Sequence, residues 1–290
     1  MIGTNLPRID ATSAAQEALL TAGVEIRPGE RYGFFTDTSI CIGCKACEVA
    51  CKEWNALPAD TPTDEFELTA TSYDNTGALS ANTWRHVEFI EQPPAAADGD
   101  LPRWLFMSDV CKHCQRAGCL EACPTGAIIR TEFDTVLVQQ DVCNGCGYCV
   151  PACPFGVIEV DHERDGKAHK CTLCYDRLKV GQEPACAKAC PTDSIQFGPV
   201  DTLLERAERR VDGLRARGFE KAQLYGADPQ AETGVLNAFF LLLDDPRTYN
   251  LPERPRLPAN NIVSGARGGL LAGLALTALA AVAFLFGQRR

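Results

Sequence analysis

The stretch that most restricts this chain is Cys143–Pro154, which reads C-N-G-C-G-Y-C-V-P-A-C-P. Cys143, Cys146, Cys149 and Cys153 stand two, two and three residues apart, and a proline follows. Three further quartets echo it. Cys41, Cys44, Cys47 and Cys51 repeat the spacing, with Lys52 in place of the proline. Cys111, Cys114, Cys119 and Cys123 are spaced two, four and three, before Pro124. Cys171, Cys174, Cys186 and Cys190 are spaced two, eleven and three, before Pro191. The four quartets use all 16 cysteines of the chain.

C-x2-C-x2-C-x3-C-P is the ligand run of bacterial ferredoxins, in which three thiolates hold one [4Fe–4S] cube and the fourth reaches a second. Disulfides do not explain the pattern, because a chain of 290 residues is well above the size that needs covalent staples. Four-cysteine zinc sites are the nearer rival, but they are built from paired C-x2-C knuckles and not from triplets with a trailing Cys-Pro. Four quartets imply four [4Fe–4S] clusters and 16 irons.

Size and charge narrow the rest. The length allows two domains, and 46% hydrophobic residues are enough for a packed core. A net charge of −10 argues against nucleic acid as a partner. Residues 1–32 read as an N-terminal extension with a short helix over Thr12–Ala22, and with neither an apolar signal core nor a twin arginine. No Gly-rich phosphate loop, nucleophile elbow or histidine-rich metal site is present. Chemistry on a substrate is therefore assigned to another chain.

The fold class expected is α+β: two ferredoxin-like units in tandem over residues 33–200, with an insertion at 56–110. Short apolar runs bounded by Gly, Pro or Asp predict strands at Gly33–Asp37, Ala127–Ile129, Val136–Val138, Val157–Val160 and Ser194–Phe197. Alternation in Glu65–Ala70 and Arg85–Ile90 predicts a hairpin inside the insertion, with Pro93–Asp100 as a breaker. It covers a cluster or docks a partner subunit. Residues 201–262 read as a helix and an extended linker. Thr202 and Glu205 have capping-box spacing, and Leu203, Leu204, Ala207, Val211 and Leu214 share a face that ends near Gly218. Leu236–Leu243 reads as a strand, and Pro246–Pro258 as an extended linker.

Residues 263–290 read as a membrane helix and short tail. Gly268–Gly287 contains no charge. At ~1.5 Å per residue it spans about 30 Å, the thickness of a bilayer core. Arg254, Arg256 and Arg267 precede the span while Arg289 and Arg290 follow it, so charge does not orient it. Gly265, Gly269, Gly273, Thr277 and Ala281 lie four residues apart on one face, as in close-packed membrane helices.

Cys41-Ile42-Gly43-Cys44-Lys45-Ala46-Cys47, continuing to Cys51-Lys52-Glu53-Trp54-Asn55, resembles the first motif of the iron–sulfur (beta) subunit of membrane-bound respiratory formate dehydrogenases. Lys170–Arg177 and Val180–Cys186 are similar too, as is the single C-terminal membrane helix. The resemblance runs from about residue 33 to the end. Spacing alone leaves the pairing of quartets open; the resemblance implies a nested arrangement. Cys41, Cys44, Cys47 and Cys190 would hold one cluster, and Cys171, Cys174, Cys186 and Cys51 its neighbour. Cys111, Cys114, Cys119 and Cys153 would hold a third, and Cys143, Cys146, Cys149 and Cys123 a fourth. It further implies a molybdenum or tungsten pterin alpha subunit that oxidises formate and a cytochrome b gamma subunit that reduces quinone. The cluster domain would then lie on the outer, periplasmic face of the cytoplasmic membrane, in anaerobic respiration. The equivalent subunit of a hydrogenase or another molybdoenzyme is the alternative, and a zinc-bound membrane scaffold the alternative of a different class.

Histidine and lysine lie among the motifs. His113, within C-K-H-C, reads as an exposed loop residue, and Lys45, Lys52, Lys112, Lys170 and Lys188 each read as solvated surface charge. Positive charge near a cluster would raise its potential. Metal analysis of anaerobically purified protein is expected to find iron and acid-labile sulfide near 16 of each per chain; zinc without sulfide would support the scaffold.

Overall fold

The computed structural model describes residues 25–59, 77–92 and 103–287. The expected helix over Thr12–Ala22, the strand Glu65–Ala70 and the breaker Pro93–Asp100 lie outside these residues.

An aromatic strand sits at the centre. β1 (Tyr32–Asp37) is buried at every position, so both of its faces are covered. It pairs antiparallel with β8 (Ile195–Pro199) and parallel with β10 (Ala238–Leu242), and β9 (Gln223–Tyr225) closes the sheet beyond β10. Phe35 stacks on Phe239 with centroids 5.5 Å apart, and Tyr32 stacks on Phe197 at 5.7 Å. Gly33 is dictated by proximity, since a Cβ there would lie 1.9 Å from the Asn237 carbonyl oxygen. The sheet thus joins the segments on either side of the cysteine motifs.

The sheet is covered by α6 (Val200–Arg215), which buries Leu203, Ala207, Val211 and Leu214. Each such side chain contributes roughly 1.5–3 kcal/mol on burial, Ala less. The helix starts earlier than its capping-box spacing predicts. Pro199 stands at the N-cap, so Thr202 falls inside the first turn, and no side chain caps the end. Two arginines of α6 turn inward. Arg206 donates to Gln196 at 2.8 Å, and Arg210 donates through Nε to Asp37 at 2.8 Å. Asp37 is wholly buried.

The other elements hang on this sheet. α1 (Ala46–Trp54) follows β1. β2 (Arg85–Gln92) and β3 (Arg103–Val110) form an antiparallel pair running from Arg85 opposite Val110 to Gln92 opposite Arg103. The strand predicted at Arg85–Ile90 is therefore present, with β3 beside it. Then come α2 (Gly118–Glu121), β4 (Ile128–Arg130), β5 (Val136–Val138), α3 (Cys149–Ala152), β6 (Glu159–Asp161) and β7 (Lys167–His169), followed by α4 (Tyr175–Leu178) and α5 (Ala185–Lys188). β4 pairs with β5 and β6 with β7, three residues each. Isolated ladders this short are marginal in water.

Pro246–Pro258 departs from the expected extended linker. Pro246–Tyr249 is a 3-10 turn, and Tyr249, Leu251 and Leu257 are all buried. The Tyr249 hydroxyl accepts from the Leu243 backbone at 3.1 Å. Proline spacing signals the absence of a helix but says nothing about anchoring side chains. A second turn, Pro258–Asn261, leads into α7 (Ile262–Gly287), 26 residues long. By length and composition α7 is able to cross a membrane, and its apolar window is unburied.

Breaking the Asp37–Arg210 pair strands a buried carboxylate. Arg210→Met is expected to destabilise the fold by about 3–5 kcal/mol. A thermal midpoint lowered by of order 10 °C, with faster amide exchange along β1 and β8, checks this.

Candidate metal centres

The first loop curls before α1 begins. Gly43 and Lys45 have φ of 65° and 60°, left-handed values that bring Cys41, Cys44 and Cys47 round one cavity. Cys190, in the turn after α5, completes its lining. Cys51, one turn beyond Cys47 on α1, looks elsewhere. It lies in electrostatic range of Cys171, Cys186 and Cys174. α1 packs against α5, which carries Cys186. Cys111, Cys114, Cys119 and Cys153 line a second cavity. Cys123, Cys143, Cys146 and Cys149 line a third.

Adjacent quartets approach one another in series. Cys47 lies in electrostatic range of Cys186, Cys171 of Cys111, and Cys119 of Cys149. Among the described residues, no group of three or more His, Cys, Asp or Glu is gathered tightly enough for a single ion. Zinc would draw four sulfurs to ~2.3 Å. Thiols spread around a cavity suit a polynuclear group instead.

Burial dominates the electrostatics. It pushes the Cys47 and Cys119 thiols up to about 12 and those of Cys41 and Cys149 up to about 11. Cys51 and Cys114 rise well above the usual thiol value for the same reason. Cys123 is the exception. Its slight burial raises it, but hydrogen bonds from the Thr125 hydroxyl and the backbone of residues 125, 127 and 128 outweigh that and lower it. Thiolates in such cavities need compensating charge.

Buried cations supply it, and here two expectations are corrected. Lys112 and Lys170 are not surface charges: they are 1% and 2% exposed. Lys112 pairs with Asp109 and lies 5.2 Å from the Phe155 ring centroid. Lys170 donates to the carbonyls of Val136 and Cys171. Burial pulls the Lys170 ammonium down, but Cys111, Cys119 and Cys171 together raise it. Lys188 is exposed, as expected, while Lys45 and Lys52 are half-buried. His113 is also corrected, since it is wholly buried. Its Nδ1 accepts from the Val136 backbone at 3.0 Å, so the ring proton sits on Nε2. Burial, with Lys170 nearby, holds this imidazole neutral. Local spacing carries no sign of these burials, because the covering residues are far away in the chain.

Arg85 and Ser108 join the site from outside the cysteine motifs. Arg85 is 1% exposed and donates to the Ser108 hydroxyl at 2.9 Å. That hydroxyl is 3.4 Å from the Cys47 sulfur. The only signal in the sequence is an arginine in an apolar strand, which reads equally well as facing outward.

Gly145 tests the geometry of the third cavity. Its φ is +71°, and a Cβ there would sit 1.9 Å from the Gly166 carbonyl oxygen. Gly145→Ala is expected to lose about a quarter of the bound iron. Gly156→Ala, at φ +64° in open space, bears only backbone strain of about 1–2 kcal/mol and keeps its iron.

Known proteins are similar to this chain in sequence. Two family models, each described as a 4Fe-4S dicluster domain, match residues 40–127 and 102–200. The nitrate-inducible formate dehydrogenase iron-sulfur subunit of Escherichia coli (strain K12) is 44% identical over 223 residues, covering 76% of this chain and 72% of the relative. The formate dehydrogenase iron-sulfur subunit of Haemophilus influenzae is 40% identical over 252 residues, 84% of this chain and 77% of that one. A subunit of the anaerobic dimethyl sulfoxide reductase of Escherichia coli (strain K12) is 36% identical over 176 residues, 61% of this chain and 77% of that one. With its dicluster motifs and relatives of this identity along most of its length, the chain belongs to the family of formate dehydrogenase iron–sulfur subunits.

Proposed function

We propose that this chain carries electrons from a molybdenum or tungsten pterin subunit that oxidises formate to a membrane cytochrome b subunit that reduces quinone. The observation behind this reading is the series of thiol quartets, which come into electrostatic range of one another at Cys47 and Cys186, Cys171 and Cys111, and Cys119 and Cys149. A [4Fe–4S] cluster, when bound, accepts and releases one electron at a time.

The cysteines are assigned in the nested order. Cys41, Cys44, Cys47 and Cys190 hold the first centre, and Cys51, Cys171, Cys174 and Cys186 the second. Cys111, Cys114, Cys119 and Cys153 hold the third, and Cys123, Cys143, Cys146 and Cys149 the fourth. The shared cavity linings support three of these groupings, and the electrostatic neighbours of Cys51 support the other. On this reading residues 33–200 form the cluster unit, with β2 and β3 in its insertion at 56–110. Residues 201–262 brace it, and 263–290 anchor it.

The chain's own residues insulate and orient the path. Buried thiols and aromatic packing keep water away, while Lys112 and Lys170 balance negative charge. Contact of the Pro258–Asn261 turn with both α2 and α7 supports an outlet at the third and fourth centres, nearest the bilayer. Exposed Ile42 and Val49 flank the first centre and suit an inlet facing the catalytic partner. The cluster unit is assigned to the periplasmic face.

Cys190→Ser, assembled with its partner subunits, tests the assignment. The electron paramagnetic resonance signal of the centre on Cys41, Cys44 and Cys47 is expected to change, and formate-to-quinone flow to fall, while dye-linked formate oxidation survives. A change confined to the centre on Cys171, Cys174 and Cys186 overturns the nesting.

A further inference from the structure

Arg85 opens β2, and its guanidinium lies in range of Cys186, Cys47, Cys171 and Cys51. These thiols belong to both of the first two quartets, at the place where the quartets approach. Only 1% of the residue is exposed. Arginine brings five N–H donors on a plane and remains charged. Nη1 donates to the Ser108 hydroxyl, whose oxygen touches the Cys47 sulfur. The guanidinium carbon lies 4.9 Å from the Phe34 ring centroid. Nε and Nη2 have no hydrogen-bond partner, although both atoms are buried.

A buried cation of this kind is expensive unless negative charge and acceptors surround it. No carboxylate pairs with Arg85 among the described residues. Sulfur ligands are the negative groups that face it. The Arg85 charge lies between two centres, each of which gains a negative charge on reduction. It therefore favours the reduced form of both.

We propose that Arg85 is a positioning residue for electron transfer: it donates its free Nε and Nη2 hydrogens to sulfur at the junction of the first two centres and raises both of their potentials together. The proposal rests on the assignment of the cysteine quartets to [4Fe–4S] centres. Iron, sulfide and four titrating centres in the wild-type complex test that assignment separately, before any Arg85 variant is made.

The decisive measurement is a redox titration followed by electron paramagnetic resonance on complexes carrying Arg85→Met or Arg85→Lys. In Arg85→Met the reduction constants of the first and second centres are expected to fall at least tenfold, a downward shift of about 59 mV for a one-electron couple. The third and fourth centres keep their potentials. Arg85→Lys, which retains the charge, is expected to recover more than half of the shift. Unchanged potentials in Arg85→Met with full iron, or equal shifts in both variants, overturn the proposal. Should Arg85→Met fail to bind iron, the wild-type complex grown with 15N-arginine decides. Pulsed resonance on its reduced first or second centre is expected to show 15N coupling that disappears in Arg85→Lys, and its absence from the wild type overturns the hydrogen bonds.

Discussion

Burying thiol sulfur is the constraint on which this structure depends. Burial disfavours the bare thiolate at Cys41, Cys47, Cys51, Cys114, Cys119 and Cys149, so the protonated, metal-free chain and the loaded chain are different thermodynamic objects. Metal uptake displaces protons and supplies folding energy at once. The surrounding elements are built for that supply. The β4–β5 and β6–β7 ladders are three residues long, and the helices that carry Cys119, Cys149 and Cys186 are four residues each. Such pieces bury little by themselves. The two ladders and the helices of Cys119 and Cys149 share a small core of Ile128, Val136, Val138, Ile158 and Val160 packed against the cysteines, so packing and ligation depend on one another.

The aromatic sheet packs through side chains that lie outside the cysteine motifs. β1 precedes the first motif, β8 follows the last, and β10 comes from beyond both. Their ladders fix where the loop of Cys41 and the turn of Cys190 emerge, although the two are distant in sequence. The Asp37–Arg210 pair and the hydrogen bond from Ser194 to the Asp37 carbonyl at 2.8 Å tighten this corner. The proposed sharing of a first centre between Cys41, Cys44, Cys47 and Cys190 depends on that closure.

Much of this was legible in the chain, for physical reasons. Cysteine spacing is a local code: two intervening residues set sulfurs around one centre whatever the distant fold, and the strand at Val136–Val138 announced itself by its β-branched residues. The amphipathic face of α6 was equally plain. Burial of charge was not. Lys112, Lys170 and His113 sit in loops whose composition looks exposed, and they become interior only when strands from elsewhere close over them. The start of α6 was missed because Pro199, with its fixed φ and absent N–H, begins a helix without any side-chain cap. Leu257 shows the same limit, since an isolated leucine among prolines gives no warning that it is wholly buried.

The lead-in to α7 and the proposed electron path meet at that leucine. A Cβ on Gly118 would lie 2.4 Å from the Ala152 carbonyl oxygen and 3.2 Å from the Leu257 side chain. α2 and α3 therefore touch backbone to backbone beside Cys119 and Cys149, the two cysteines through which the third and fourth quartets approach. Any larger residue at position 118 would part these helices and lengthen the gap between quartets. It would also lift the Leu257 strap, which leads through the Pro258–Asn261 turn to α7. One glycine thus couples the spacing of the quartets to the seating of α7. It is required there by contact, not by an unusual backbone angle.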